Sequence, residues 1–307
     1  MWERLSENIS RGDVKSIARG ISYIESEAYD YEAFLQSLDP KKDCPVIGIT
    51  GPPGAGKSTL TDALIGVLIA DGKKKVAVLC IDPSSPFNMG ALLGDRIRMS
   101  EWYNNPNVYI RSLATRGALG GLHPKIIEIT DLLKSSAFDY IIVETVGVGQ
   151  SEIEIAGLAD ITIVVMVPES GDEVQTMKAG LMEIADIFVV NKSDRPDADF
   201  FVKNLRTLTS PAYHSTEREL PVIKTVATQK EGVQELAAAI ERLLKEEHDM
   251  ERKSWLMAEK AYHLIQKNRM RDVDKSDLKE KIKEKVTTGN FQLYSFIKNY
   301  IHGNGTQ

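Results

Sequence analysis

Cysteine is almost absent from this chain of 307 residues. Cys44 stands just before one strand-like run and Cys80 within another. Two cysteines so placed cannot staple a small disulfide scaffold, and they read as reduced, buried side chains of a cytoplasmic protein. Histidine is sparse and scattered (His123, His214, His248, His263, His302), and none stands at metal-ligand spacing from a cysteine. A transition-metal centre is therefore not expected. There is no excess of positive charge: 38 Lys and Arg face 44 Asp and Glu, a net charge of -6. Such a chain offers no overall basic field to nucleic acid or to an anionic membrane. Long apolar runs are missing as well. The most apolar stretch, Ile161 to Val167, is far too short to span a bilayer, and the start MWERLSENISRGD lacks the apolar core of a signal peptide. Neither repeats nor low-complexity tracts occur. The 42% hydrophobic content is enough for a sizeable core, in one large α/β domain with appendages or in two modest domains.

What is present is concentrated in Val46 to Leu60, VIGITGPPGAGKSTL. A β-branched apolar run ends in Gly51, and Gly51, Gly56, Lys57 and Ser58 then satisfy G-x-x-x-x-G-K-[ST]. Glycines let such a loop curl its N–H groups inward around phosphates, the lysine reaches the β- and γ-phosphates, and the hydroxyl is the expected first ligand of Mg²⁺. The helix that follows (Leu60, Leu64, Val67, Leu68) points its positive end at the same anion. The whole loop, Gly51, Pro52, Pro53, Gly54, Ala55, Gly56, Lys57, Ser58 and Thr59, is expected to hold a nucleoside triphosphate.

Around this loop, strand-like and helical runs alternate. The strand-like runs are Val46–Thr50, Val76–Asp82, Val108–Leu113, Tyr140–Val146, Ile161–Val167, Ile187–Asn191 and Val222–Ala227. Amphipathic stretches such as Lys125–Leu133, Val174–Ile184 and Val233–Leu244 lie between most of them. Near-continuous apolar strands separated by helices predict a doubly wound, mainly parallel α/β sheet, the P-loop NTPase class, with its site at the carboxyl ends of the strands. Residues 1–40 read as an N-terminal helical extension: Trp2, Leu5 and Ile9 share one face, Gly12 and Asp13 break and re-cap the chain, and Val14, Ile17, Ile21 and Ile24 resume. Residues 41–248 form the P-loop domain. Residues 249–307 form a C-terminal helical arm with faces at Trp255, Ala258, Tyr262 and Ile265, at Leu278, Ile282 and Val286, and at Leu293, Ile297 and Tyr300.

Three further groups carry chemistry. Asn191-Lys192-Ser193-Asp194 follows a strand, and an Asn/Lys-x-Asp group there suits guanine. The Asp194 carboxylate accepts from N1–H and the 2-amino group, which adenine does not offer, while the lysine stem packs on the ring. Val226-Ala227-Thr228, after the last strand, occupies the place of a further guanine-contacting turn, with only a backbone contact from Ala227 in prospect. Strand-end acids Asp82 and Glu144, with Asp95 in Gly94-Asp95-Arg96, are candidate ligands of Mg²⁺ or its water. Gly147 is placed to offer its N–H to the γ-phosphate. The position after that glycine, often a water-orienting glutamine, is Val148. Intrinsic hydrolysis is accordingly expected to be slow unless Gln150, Arg116, Lys178 or a partner completes the site.

With GPPGAGKST, IDPSSP, GDRIRM, TRGALGG, ETVGVGQSE, GDEVQ and NKSD in this order, the chain closely resembles the MeaB/ArgK family, the P-loop GTPases associated with methylmalonyl-CoA mutase. The resemblance runs from the N-terminal helices to about Gly232. It implies a homodimeric GTPase chaperone, cycling between GTP and GDP, that gates adenosylcobalamin delivery to a cobalamin-dependent acyl-CoA mutase and protects that enzyme. It also implies Mg²⁺ near Ser58, Asp82, Asp95 and Glu144, and a switch around Gly171–Lys178. Two other readings stand beside it. One is an ATP-dependent kinase or transport ATPase, against which Asp194 argues. The other is a metallochaperone GTPase for another metalloenzyme, for which no Cys/His cluster is present.

Overall fold

The computed structural model describes residues 2–40, 43–82, 99–115, 122–145, 151–170, 184–209, 220–246, 254, 258, 261–262, 264–266, 268–289 and 291–301. The chain divides into two compact units, residues 1–256 and 257–307.

The first unit begins with three helices, α1 (Trp2–Ser10), α2 (Val14–Glu25) and α3 (Tyr31–Gln36). Asp13 caps α2 as its position predicts, its Oδ2 accepting the Ser16 N–H at 2.8 Å, which satisfies one of the orphan donors of the first turn. Strand and helix then alternate: β1 (Val46–Thr50), α4 (Lys57–Leu68), β2 (Val76–Asp82), β3 (Val108–Ala114), α5 (Ile126–Lys134) and β4 (Tyr140–Glu144). There follow α6 (Ser151–Leu158), β5 (Ile161–Met166), β6 (Ile187–Val190), α7 (Ala198–Leu208), β7 (Val222–Lys224) and α8 (Val233–Lys245). The expected helix Val174–Ile184 lies, but for its last residue, outside the described residues.

All seven strands join one sheet in the order β3-β2-β4-β1-β5-β6-β7, and every pairing is parallel. The P-loop strand β1 is central, and the chain winds outward from it first to one side and then to the other. That reversal opens a crevice at the carboxyl ends of the strands, where α/β sheets bind their ligands.

Alternation along the strands sorts side chains into two layers. Val76, Val78 and Cys80 face a core shared with Leu60 and Leu64 of α4 and with Leu236 and Ile240 of α8. Ala77, Leu79 and Ile81 face the opposite core, built with Ile129, Leu132 and Leu133 of α5. Ile9, Ile17, Ile21, Ile24 and Phe34 of the N-terminal helices belong to that same second core. Each such isoleucine contributes about 1.5–3 kcal/mol through burial, so α1–α3 pack as part of this unit's α/β layer. Ion pairs fasten the end of α2: Glu25 to Arg111 on β3, and Glu27 to Lys125, the residue that opens α5, at 2.6 Å. A third cluster under β5 and β6 takes Phe201, Val202 and Leu205 from α7.

Four strands end earlier than their apolar runs: β5 and β6 by one residue each, at Met166 and Val190, and two others by more. β4 stops at Glu144, and β7 stops at Lys224 rather than Ala227. In the second case the backbone leaves the ladder because Val226 bridges antiparallel to Glu231 and Ala227 opens a 3-10 turn.

The second unit contains α9 (Lys275–Thr287) and α10 (Leu293–Ile301). Asp274 caps α9, accepting from Ser276 and Asp277 N–H groups, yet α9 buries none of its residues. Phe291, Phe296 and Tyr300 stack along α10. Among the described residues no helix is long and apolar enough to cross a membrane.

Candidate functional site

The site grows from the turn between β1 and α4. Gly51 has φ +141°, and a Cβ there would lie 2.1 Å from the Val165 carbonyl oxygen on β5, so no side chain fits. Gly56 has φ +88°, and a Cβ would lie 2.4 Å from Asn191 Nδ2. These two glycines let the loop bend sharply while backing onto the neighbouring strand and the Asn191 side chain. Gly56 is also the N-cap of α4 and brings no side-chain cap. The first N–H groups of the helix thus face the loop, the arrangement that receives an anion.

Lys57 is buried, and its Nζ donates to the carbonyls of Gly51 at 2.8 Å and Pro52 at 3.1 Å. The ammonium is thereby held over the loop it belongs to. Ser58 Oγ donates to Glu144 Oε1 at 2.6 Å. Glu144 ends β4 between the partners Ile49 on β1 and Cys80 on β2. Asp82 lies two residues farther along β2, buried like Glu144, so both carboxylates sit at strand ends on the P-loop side of the sheet. A hydroxyl and carboxylates form an all-oxygen donor set, which suits Mg²⁺, a cation that keeps waters and substrate phosphates in its shell. Asp95, Gly147, Gln150 and Lys178 lie outside the described residues.

The base-recognition group meets the P-loop directly. Asn191 follows β6 and is buried, donating through Nδ2 to the Ala55 carbonyl at 2.9 Å. Its Oδ1 accepts from the Thr225 hydroxyl and from the Ala227 N–H, both at 3.1 Å. Lys192, in a left-handed conformation at φ 54°, donates from Nζ to the Gly54 carbonyl at 2.7 Å. The amide of Asn191 therefore ties three segments together, and the Ala227 N–H, expected to face the base, is engaged by Asn191. Val226 is buried and Thr228 exposed, while the Asp194 carboxylate stands at the surface of the turn closed by Arg195 N–H to the Lys192 carbonyl.

Several participants carry no sequence signal of their own. Thr61 donates to Glu144 Oε2 at 2.9 Å, and Thr50 at the end of β1 shares a hydrogen bond at 2.9 Å with Thr145, the residue after β4. Helical spacing from Ser58 to Thr61 hints at a shared face, but nothing local says that Glu144 lies opposite. Glu169, in the 3-10 turn after β5, pairs with Arg195 beside Asp194. The Arg195 guanidinium holds the Glu169 carboxyl below its ordinary range. Behind the loop, Trp102 Nε1 donates to Asp62 on α4 at 2.7 Å. Burial pushes the Asp62 carboxyl above its usual value, against the pull of that hydrogen bond.

Comparison with known proteins bears on this geometry. The family model described as Methylmalonyl Co-A mutase-associated GTPase MeaB matches residues 17–287. A GTPase-named protein of Pyrococcus abyssi is 47% identical over 240 residues, which are 77% of this chain and 74% of that one. A fused isobutyryl-CoA mutase of Geobacillus kaustophilus is 36% identical over 236 residues, 73% of this chain but 22% of the longer protein. The crystal structure of a LAO/AO transport system kinase superposes with a TM-score of 0.65 at 23% identity, covering 98% of this chain and 96% of that one, a likeness of fold. An all-parallel sheet centred on a P-loop, a base group locked to that loop, and a family match across most of the chain lead to one assignment: the chain belongs to the MeaB family of GTPases.

Proposed function

We propose that this GTPase is a chaperone whose nucleotide cycle gates adenosylcobalamin loading into, and protection of, a cobalamin-dependent acyl-CoA mutase of the methylmalonyl-CoA mutase type. The observation that carries the reading is the fused isobutyryl-CoA mutase, in which the homologous segment is about a fifth of the protein. A GTPase segment within a protein named as a mutase is the covalent counterpart of a GTPase and mutase that meet as separate chains.

In this reading the loop Gly51–Thr59 holds the phosphates through backbone N–H groups, and Lys57 exchanges its loop carbonyls for phosphate oxygens. Asp194 reads the guanine edge, with Asn191 and Lys192 keeping the base loop in register with the P-loop and Ala227 and its neighbours Val226 and Thr228 closing the base side. Ser58, Glu144, Asp82 and Asp95 would hold Mg²⁺, which when bound neutralises charge on the β- and γ-phosphates. Gly147 offers an N–H to the γ-phosphate. Gln150 and Lys178 are the candidates to orient water and offset charge, and their completion by a partner makes unassisted hydrolysis slow. The C-terminal arm, residues 249–307, supplies the dimer contact of a cytoplasmic homodimer. Exposed Tyr262, Ile265, Val286 and Leu293 support that assignment, since apolar surface of this kind marks association sites.

The test is GTP turnover and complex formation with purified adenosylcobalamin-dependent mutases, with Lys57→Ala as the inactive control. Turnover that rises on adding the cognate mutase, and is lost in Lys57→Ala, is expected. No acceleration and no complex with any such mutase would remove the chaperone role. A preference for ATP over GTP would move the chain to the kinase or transport ATPase reading.

A further inference from the structure

We propose that Thr61 is a positioning residue for Glu144, holding the carboxylate in the orientation that faces Ser58 and the phosphate loop. The inference rests on the magnesium reading of Ser58 and Glu144 above. Thr61 lies one helical turn beyond Ser58 on α4 and is 0% exposed. The two hydroxyls approach opposite oxygens of one carboxylate: Ser58 Oγ donates to Oε1 at 2.6 Å and Thr61 Oγ1 to Oε2 at 2.9 Å. A carboxylate held at both oxygens loses the freedom to rotate about its terminal bond, which a single donor would leave.

Thr61 Oγ1 also lies 3.0 Å from the Lys57 carbonyl, the ordinary back-bonding partner of a helical threonine. One hydroxyl proton cannot serve both acceptors fully. An ionised carboxylate is the stronger acceptor, because hydrogen bonds to charged groups are roughly twice as strong as neutral ones. The proton therefore goes chiefly to Glu144. This leaves a division of labour on adjacent turns of one helix. Ser58 donates to Oε1, while Thr61 anchors the far oxygen. Groups that orient a metal ligand in this way tune the site nearly as strongly as the ligands themselves.

The experiment follows the Mg²⁺ dependence of dissociation of a fluorescent GDP analogue from the full chain, comparing Thr61→Val, Thr61→Ser and Glu144→Gln with the unaltered protein. Thr61→Val keeps the side-chain volume and removes the hydroxyl. It is expected to raise the Mg²⁺ concentration for half-maximal nucleotide retention by roughly 10-fold, while Thr61→Ser stays within about 2-fold. Affinity for the analogue in chelator, without Mg²⁺, should be unchanged in both. Should Thr61→Val not fold, Thr61→Ala against Thr61→Ser reads the same contrast. A merely structural threonine would weaken nucleotide binding equally with and without Mg²⁺, and that outcome overturns the proposal. If Glu144→Gln shifts the Mg²⁺ midpoint and Thr61→Val does not, only the role of Thr61 falls. If neither shifts it, the magnesium reading falls and takes this inference with it.

Discussion

The junction of P-loop and base loop and the helices α9–α10 handle polarity in opposite ways. At the junction, polar groups are buried and paired: Asn191 with Ala55, Thr225 and Ala227, and Glu144 with Ser58 and Thr61. In α9–α10, apolar groups are exposed, with Val286 at 55% and Tyr294 at 75%. A buried polar group without a partner costs about 1–3 kcal/mol, so the junction is held to one arrangement by every member of its network. A small module with exposed apolar side chains has no such constraint of its own and gains by meeting another surface. The first region fixes its polar groups in one geometry, while the second leaves apolar side chains in water.

The sharpest way to press this comparison is in the cores. Leu236→Ala, at a fully buried position between α8 and the sheet, should lower unfolding stability by about 2–5 kcal/mol in denaturant titration. A loss below about 1 kcal/mol would mean that α8 does not anchor the sheet. Next in size is the base loop. Asp194→Ala should reduce the preference for GTP over ATP by at least roughly 100-fold in competition binding, since a site that hydrogen-bonds one base discriminates by what it leaves unpaired with the other. An unchanged ratio would place base recognition elsewhere.

Smaller effects are expected in the second region. Val286→Ser should change the stability of a dilute sample by no more than about 0.5 kcal/mol, while sedimentation at high concentration shifts toward monomer. A large loss of stability without a change in association would show that α9 is a core helix after all. Smallest is the half-buried Asp62. Burial raises its folded-state pKa above 3.8, so the stability it contributes is fully present below the unfolded value and is lost as pH rises through the folded one. Asp62→Asn keeps an acceptor for Trp102 and should match or exceed the unaltered protein in Tm at pH 7. That advantage should disappear on acidification, and a mutant less stable at pH 7 than at low pH, relative to the unaltered protein, would reverse the sign.

Much of the fold was legible from local pattern. All seven strand-like runs begin at or inside the observed strands, because β-branched apolar runs bounded by glycine, proline or polar residues carry their own signal. The P-loop was legible for the same reason: loop, lysine and hydroxyl lie within eight consecutive residues. Boundaries failed where distant partners draw the backbone away, as at Thr225–Ala227, which turn toward Asn191 instead of extending β7. Thr61 and the Glu169–Arg195 pair were not legible, since their significance depends on residues far away in the chain. Nor was the place of Ala227, whose N–H serves Asn191. Gly147 and Gln150 rest on their place in the sequence after β4, and Asp95 and Lys178 on sequence position together with the family resemblance.

The sequence by itself determined a nucleotide-binding α/β protein with a guanine-type base group, because those motifs are short and their chemistry is local. Tertiary structure alone decided that β1 is central, with β4 and β5 at its sides, that the N-terminal helices share the sheet's core, and that Asn191 and Lys192 clasp the carbonyls of Ala55 and Gly54. The reason is physical: strand order and buried hydrogen bonds are set by which distant surfaces satisfy one another, and no window of sequence contains both sides of such a contact.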